Sequence, residues 1–241
     1  MDDLLTPSFE AARGELLGYL SRLVLRPPVA EELLQTTYLR CLEAGARLPE
    51  SPEGRRAWLF RVATNLAFDE LRRHSTWRET ALQDMRALAQ VSDAFVERSR
   101  AMAGTPETKA IAREHLVACL ACTLRNLPER KAAAVLLKEV HGFAIDEIAG
   151  LLEATPGQAK NWLQEGRAYL NERYGATCAL ITKQGVCHQC AELDVFLAEG
   201  DADPLPGARN LEARFAIAAA DRARPWGAWH RIMFRLLDDL R

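Results

Sequence analysis

The sequence predicts an all-α protein: two helical domains joined by a linker and followed by a mostly helical C-terminal extension. Three observations carry that reading. Apolar residues return at helical spacing through most segments, prolines and glycines fall between those segments, and no stretch alternates as a half-buried strand does.

The first helix is expected over about residues 8 to 25, with Leu16, Leu17, Leu20, Leu23 and Val24 on one face and Pro27-Pro28 stopping it. The second, about 29 to 45, puts Leu33, Leu34, Tyr38, Cys41 and Leu42 on its stripe. Ser51-Pro52 opens the third, about 53 to 74, because proline fits a first helical turn; Trp58, Leu59, Val62, Ala63, Leu66 and Leu71 follow as its apolar side. These three make a first domain over about residues 5 to 75. From about 76 to 108 charge is mixed, strong apolar residues are few and Gly104-Thr105-Pro106 breaks the chain, as in a linker. Four helices are expected next, over about 107 to 126, 129 to 141, 145 to 153 and 156 to 173, giving a second domain that ends near Tyr174. The last pair has the spacing of a helix-turn-helix, with Ile145, Ile148, Ala149 and Leu152, then Ala159, Leu163 and Leu170, as its buried set and Thr155 placed to cap the second helix. Residues 175 to 241 form the extension, with a loop at Asp201 to Gly207 and helices over about 209 to 222 and 227 to 240.

Of 241 residues, 49% are hydrophobic and 27% charged, close to globular averages, which excludes a disordered or fibrous chain. A net charge of −2 provides no global field for nucleic acid, so DNA binding has to come from local patches. No apolar run reaches the roughly 18 residues of a spanning helix, and MDDLLTPSFE is acidic where a secretory signal is basic. The chain reads as cytoplasmic, without a membrane span. Its six cysteines are then expected as thiols, metal ligands or redox sensors.

At 29 to 73 the chain reads VAEELLQTTYLRCLEA and then AWLFRVATNLAFDELRR, and at 124 to 170 LRNLPERKAAAVLLKEVHGFAIDEIAGLLEATPGQAKNWLQEGRAYL. These blocks resemble regions 2 and 4 of the extracytoplasmic-function (ECF) sigma factors of bacterial RNA polymerase, in the right order and with the right linker. The resemblance covers roughly residues 5 to 174 and implies promoter-directed initiation of transcription, with RNA polymerase core and promoter DNA as partners. Region 2 of that family docks on the polymerase clamp and opens the −10 element; region 4 reads the −35 element as duplex.

The resemblance implies roles for particular residues. Glu32 and Gln35 share one exposed face of the second helix, where the family meets the clamp; the same residues with Glu31 also suit a merely solvated face. Thr36 stands where the family carries an acid. On the third helix Arg55, Arg56, Arg61, Arg72 and Arg73 outnumber Glu53, Asp69 and Glu70, with Trp58 and Phe60 among them. Cations hold phosphates, and an aromatic or amide side chain holds an unstacked base. Asn65 matches the family residue lining the pocket for a flipped non-template base, and Arg61, Arg72 and Arg73 are the accompanying DNA-binding candidates. Trp58 lies on the apolar stripe, where core packing is the simpler role. In the helix-turn-helix, Lys160, Asn161, Gln164 and Arg167 are expected on one outward face toward the major groove. Trp162 and Glu165 stand where the family has arginines. Lys160, Arg167 and Arg173 against Glu165 and Glu172 leave a margin of one positive charge, so nonspecific affinity should be weak.

Beyond Tyr174, Cys187 and Cys190 form C-x2-C around His188, and Cys178 lies nine positions earlier. Two thiolates at this spacing can grip Zn²⁺ or another thiophilic metal, with Cys178 and His188 completing the set, although the adjacent Cys187 and His188 are awkward as joint ligands. The same thiols also fit a redox sensor activated by a following helix N-terminus, or inert cysteines. A second C-x2-C, Cys119 and Cys122, follows His115; this H-x3-C-x2-C is similar to the pattern of zinc-binding anti-sigma factors, while small buried residues in an apolar helix are the simpler account. Cys41 belongs to the core.

The extension is therefore expected to pack on region 4 or across both domains and to hold the DNA-reading faces closed or open with the state of its cysteines; a passive buttress is the competing role. A separate anti-sigma factor is a further candidate partner. The rival function is a metal- or thiol-responsive helix-turn-helix regulator acting without polymerase, which leaves the region 2 block unexplained. Enzymatic chemistry is not expected, since the chain has no βαβ pattern, no glycine-rich phosphate loop and no evident nucleophile partnership for its five histidines.

Overall fold

The computed structural model of the chain describes residues 5–45, 48–73, 117–121, 123–177 and 211–224. All described elements are helical. They run α1 (Leu5–Val24), α2 (Pro27–Ala44), α3 (Pro52–Arg73), α4 (Glu129–Val135) continued by a π turn (Leu136–Val140), α5 (Ile145–Leu151), α6 (Pro156–Thr177) and α7 (Leu211–Ala220). The expected all-α class holds. The expected linker and the helix over about 227 to 240 lie outside the described residues.

In the three-helix unit, α1 packs on both α2 and α3. Leu16, Leu20, Leu23, Leu33, Leu34, Leu59, Ala63 and Ala67 form its interior, and Cys41 is buried among them. Leu25 takes a left-handed φ of 56°, which ends α1. Pro27 and Pro28 open α2 rather than precede it, because first-turn N–H groups have no helical acceptor to lose. Ser51 caps α3 by accepting the Gly54 N–H (3.0 Å). Leu42, expected inward, is 43% exposed; α2 carries more apolar residues than two neighbours can cover.

In the second unit α6 packs on α4 and α5. Gly166 permits the α4–α6 approach, since a Cβ there would stand 2.5 Å from Val135 Cγ2. Thr155 and Gln158 form the expected cap of α6: Thr155 Oγ1 accepts the Gln158 N–H (3.2 Å), and Gln158 Oε1 accepts the Thr155 N–H (2.9 Å). The turn before it is closed by Ala154 N–H donating to Ala149 O (2.9 Å), with Glu153 left-handed at φ 50° where helices favour glycine.

The two units do not stand apart. The π turn ends in a bond from the His141 N–H to Leu136 O (3.1 Å), and Gly142, at φ 75°, reverses the chain so that His141 and Phe143 enter the three-helix unit. There the Phe60 ring meets His141 at 5.0 Å, Phe143 at 5.0 Å and Tyr19 at 5.3 Å, all four side chains buried. The Arg56 guanidinium lies 4.2 Å over the Phe143 ring and donates to Glu15 Oε2 (2.8 Å) and His141 O (2.9 Å). At the other end of α3, Arg130 reaches over Phe68 and Trp162, at 5.9 and 5.5 Å from their ring centres.

Burial lowers the His141 imidazole to about 4, against a pull upward from Glu15, whose Oε2 is 3.9 Å from Nδ1, and a push down from Arg22 and Arg56. His141, Arg56 and Arg222 together hold the Glu15 carboxyl far below the usual carboxylate range. At neutral pH the imidazole is uncharged, so the guanidinium groups carry that attraction. The unfolded imidazole takes up a proton near its ordinary 6.5 and the buried one only near 4. Stability is therefore complete above about pH 6.5 and falls as pH drops toward 4, by on the order of 3 kcal/mol.

Denaturant unfolding followed across that pH window should show this loss, and His141→Phe should flatten its upper part. An equal slope in the variant would remove His141 as the cause. Thermal unfolding should further show Glu153→Gly stabilised by roughly 1 kcal/mol, the left-handed strain being relieved.

Candidate nucleic-acid interface

Asn65 is exposed on α3, beside Leu66, one turn from Val62 and Asp69 and two turns from Trp58, and these side chains line an open groove of about 460 Å³ with Arg40, Glu43 and Ala44 of α2. That volume lies within the roughly 300 to 1,000 Å³ of small-molecule sites. Trp58 is half-buried: it packs on the core as expected and also presents an aromatic wall to the groove. Ion pairs edge the opening, Arg40 with Glu43 (2.9 Å) and Arg72 with Asp69 (2.7 Å). Such exposed pairs contribute little and give way readily to a phosphate.

The basic residues of α3 divide into two groups. Arg61, Arg72 and Arg73 are exposed. Arg72 also donates to Phe68 O (3.2 Å), and Arg73 donates to Asp69 O (3.3 Å) and pairs with Glu70 at 3.6 Å. Arg55 and Arg56, grouped with them by composition, serve the fold instead. Arg55 donates to Ser8 Oγ (2.9 Å), Pro49 O (3.3 Å) and Glu50 O, while Arg56 is spent at the junction between the units. Phe60 is likewise removed from any role with a base, because it is fully buried in that junction.

On α2, Glu32 and Gln35 are exposed as expected, and Thr36 turns its hydroxyl onto Glu32 O (2.9 Å). The same face carries Leu39, 57% exposed, and Leu42. At offsets of three, seven and ten from Glu32 these residues form one stripe, apolar toward its C-terminal end. Leu39 is the functional candidate that sequence reasoning missed. The available signal was a leucine lying off the buried stripe.

On α6, Lys160, Asn161 and Gln164 are exposed along one side. Arg167 departs from them. It is half-buried, with Nη1 on Glu139 Oε1 (2.6 Å), Nη2 on Glu212 Oε1 (2.5 Å) and its guanidinium 5.4 Å from the centre of the Phe215 ring. Two carboxylates and an aromatic face pull the side chain inward, where helical spacing alone put it outward. Glu165 is paired with Lys131 (2.6 Å), and Trp162 stacks on Arg130 instead of reaching out. Lys160, Asn161 and Gln164 together present two amides and one ammonium group, suited to base edges and a phosphate.

Among the metal-ligand candidates only Cys119 is described; it is half-buried against the core, and its carbonyl accepts the Thr123 hydroxyl (2.8 Å). Cys122, Cys178, Cys187, His188 and Cys190 lie outside the described residues. Among the described residues no three His, Cys, Asp or Glu side chains gather as a metal site, and no helix is long and apolar enough to cross a membrane.

The family model for Sigma-70 region 2 matches residues 9–76, and that for Sigma-70, region 4 matches 118–170. The chain is 30% identical over 145 residues to the ECF RNA polymerase sigma factor SigE of Mycolicibacterium smegmatis, covering 59% of this chain and 51% of that protein. It is 29% identical over 160 residues to the RNA polymerase sigma factor CarQ of Myxococcus xanthus, covering 66% of this chain and 82% of that one. The chain thus spans about half the length of the first relative and most of the second. With both matches in order, together covering about half of it, the chain belongs to the sigma-70 family as an ECF-type sigma factor.

Proposed function

We propose that the chain directs RNA polymerase core to specific promoters and starts transcription there. The observation that carries this is Asn65, an exposed amide in a groove walled by Trp58 and Val62 and flanked by the exposed Arg61, Arg72 and Arg73. A base pulled from a melting duplex needs such a pocket: an amide that both donates and accepts, an aromatic wall and cations for the strand. The α2 stripe of Glu32, Gln35, Leu39 and Leu42 is the surface proposed to meet polymerase, since an apolar centre with a polar edge suits a protein partner. The α6 side with Lys160, Asn161 and Gln164 is proposed to read duplex in the major groove. In this role the chain binds and positions, and it needs no catalytic group of its own.

We further propose that Cys178, Cys187, His188 and Cys190 hold zinc or another thiophilic metal, or act as redox thiols, and that the cytoplasm is where they work. The C-x2-C spacing supports this reading, and the thiols would report metal or oxidant to the attached regions. Cys119 and Cys122 are proposed as packing residues.

Transcription reconstituted with core enzyme and genomic fragments should yield RNA starts that depend on the chain; none at any fragment would sink the proposal. In the same assay Asn65→Ala should lower promoter opening by about tenfold, the scale of one lost set of polar contacts, while core binding is kept. Leu39→Arg should weaken core binding by about tenfold without moving the melting temperature. Metal analysis should find bound metal in the parent chain and less in Cys187→Ser. Equal content in the two would exclude Cys187 as a ligand.

A further inference from the structure

Residues 211–224 lie beyond both matched regions, and their contacts fall on two parts of the molecule at once. Leu211, Phe215 and Ala218 of α7 are buried, and α7 packs against the π turn of region 4. From the same helix Glu212 pairs with Arg167, and Phe215 lies beneath its guanidinium. A cation on the DNA-facing helix is thereby turned back into the protein.

After α7 the chain crosses onto α1 of region 2. A Cβ on Gly18 would stand 1.9 Å from Arg222 O, and one on Gly14 would stand 3.2 Å from the Ala223 Cβ. One turn further along the same face, Arg22 is buried, and its guanidinium donates to the carbonyls of Asp221 (2.8 Å), Arg222 (3.1 Å) and Arg224 (3.5 Å). Arg222 in turn donates to Glu15 Oε1 (2.8 Å). A guanidinium can be buried only where its fork of donors is met, and here backbone oxygens of the crossing segment meet it together with Gly18 O of its own helix (2.8 Å). Two glycines and a buried arginine at four-residue spacing thus shape a face of α1 to this segment.

Promoter elements named for positions 10 and 35 are roughly 25 base pairs apart, about 85 Å along a duplex, while a folded chain of this length is about 45 Å across. With His141 and Phe143 seated on Phe60, the Asn65 groove and the α6 face cannot reach both elements together.

We infer that residues 211–224 are an intramolecular clasp that holds regions 2 and 4 in this closed packing and competes with duplex DNA for Arg167. The inference rests on the sigma-factor reading above. In the closed form Glu32, Gln35 and Leu39 stay exposed, so polymerase can be met first and the clasp released afterwards. The chain on its own rests in a state of low DNA affinity, and any partner that prefers the open form shifts the population toward it.

The test uses the full chain with a short mixed-sequence duplex at low salt, binding read by fluorescence anisotropy and extension by small-angle scattering. Glu212→Ala should raise duplex affinity about fivefold, the scale of one added phosphate contact, and the gain should vanish in an Arg167→Ala background. Gly18→Leu should raise affinity at least as much and increase the radius of gyration. The clasp is overturned if both variants fold, bind and scatter like the parent, or if Glu212→Ala gains as much without Arg167, which would mark a bulk-charge effect. Should Gly18→Leu fail to fold, the Glu212→Ala comparison decides alone. Copurification with core polymerase, run in parallel, separates the two readings: no core binding by the parent chain overturns the sigma-factor reading, and core binding with unchanged variants overturns the clasp alone.

Discussion

The guanidinium of Arg56 is the joint on which the molecule turns. It lies over the Phe143 ring from region 4, donates to Glu15 of α1 and donates to the His141 carbonyl as a third partner. A planar cation is suited to this place because it stacks on a ring while its edge donates in plane, which an ammonium group cannot do. Once this contact forms, Phe60 and Tyr19 are sealed beneath it and the two helical units share one interior. The buried imidazole and the reach of Arg222 to the Glu15 carboxylate gather around this contact, and His141, Arg56 and Arg222 together hold that carboxyl below its ordinary range.

A second theme is the use of arginine as internal framework. The chain has 31 basic residues against 33 acidic ones, so it has no surplus of positive charge to spend on DNA. Arg22, Arg55, Arg56, Arg130 and Arg167 nevertheless face protein groups. What remains outward on α3 and α6 is sparse, so attraction to duplex is local and weak. In the role proposed above, selectivity would come from several modest contacts made together with a larger partner, not from a strong grip of its own.

Much of the fold was legible because helical periodicity and its punctuation are local. The limits of α1 and α3, and the Thr155 cap of α6, follow from residues within a turn or two of each other, while Pro27-Pro28 reads equally as the stop of α1 and proves to open α2. The candidate site was legible to the same depth: Asn65, Glu32 and Gln35 lie on the exposed faces that spacing assigns to them. Long-range partners explain the departures. Nothing near Arg167 in the chain announces Glu212, 45 residues on, and nothing near Arg56 announces the His141 carbonyl, 85 residues on. His141-Gly142 reads locally as a break between helices, yet that break is where the chain drives an imidazole into the other unit. Leu39 and Leu42 were obscured by a different cause, since hydrophobic identity by itself does not say which leucines a three-helix unit has room to cover.

The way Arg22 recognises the crossing segment has an evolutionary consequence. It addresses carbonyl oxygens at 221, 222 and 224, and these atoms are common to every residue type. The side chain at Arg224 is therefore free to drift without loosening that grip, whereas an insertion or deletion would throw the oxygens out of register with the fork. Selection on this stretch acts on its length and backbone path more than on its spelling, which would leave its importance nearly invisible to a comparison of letters.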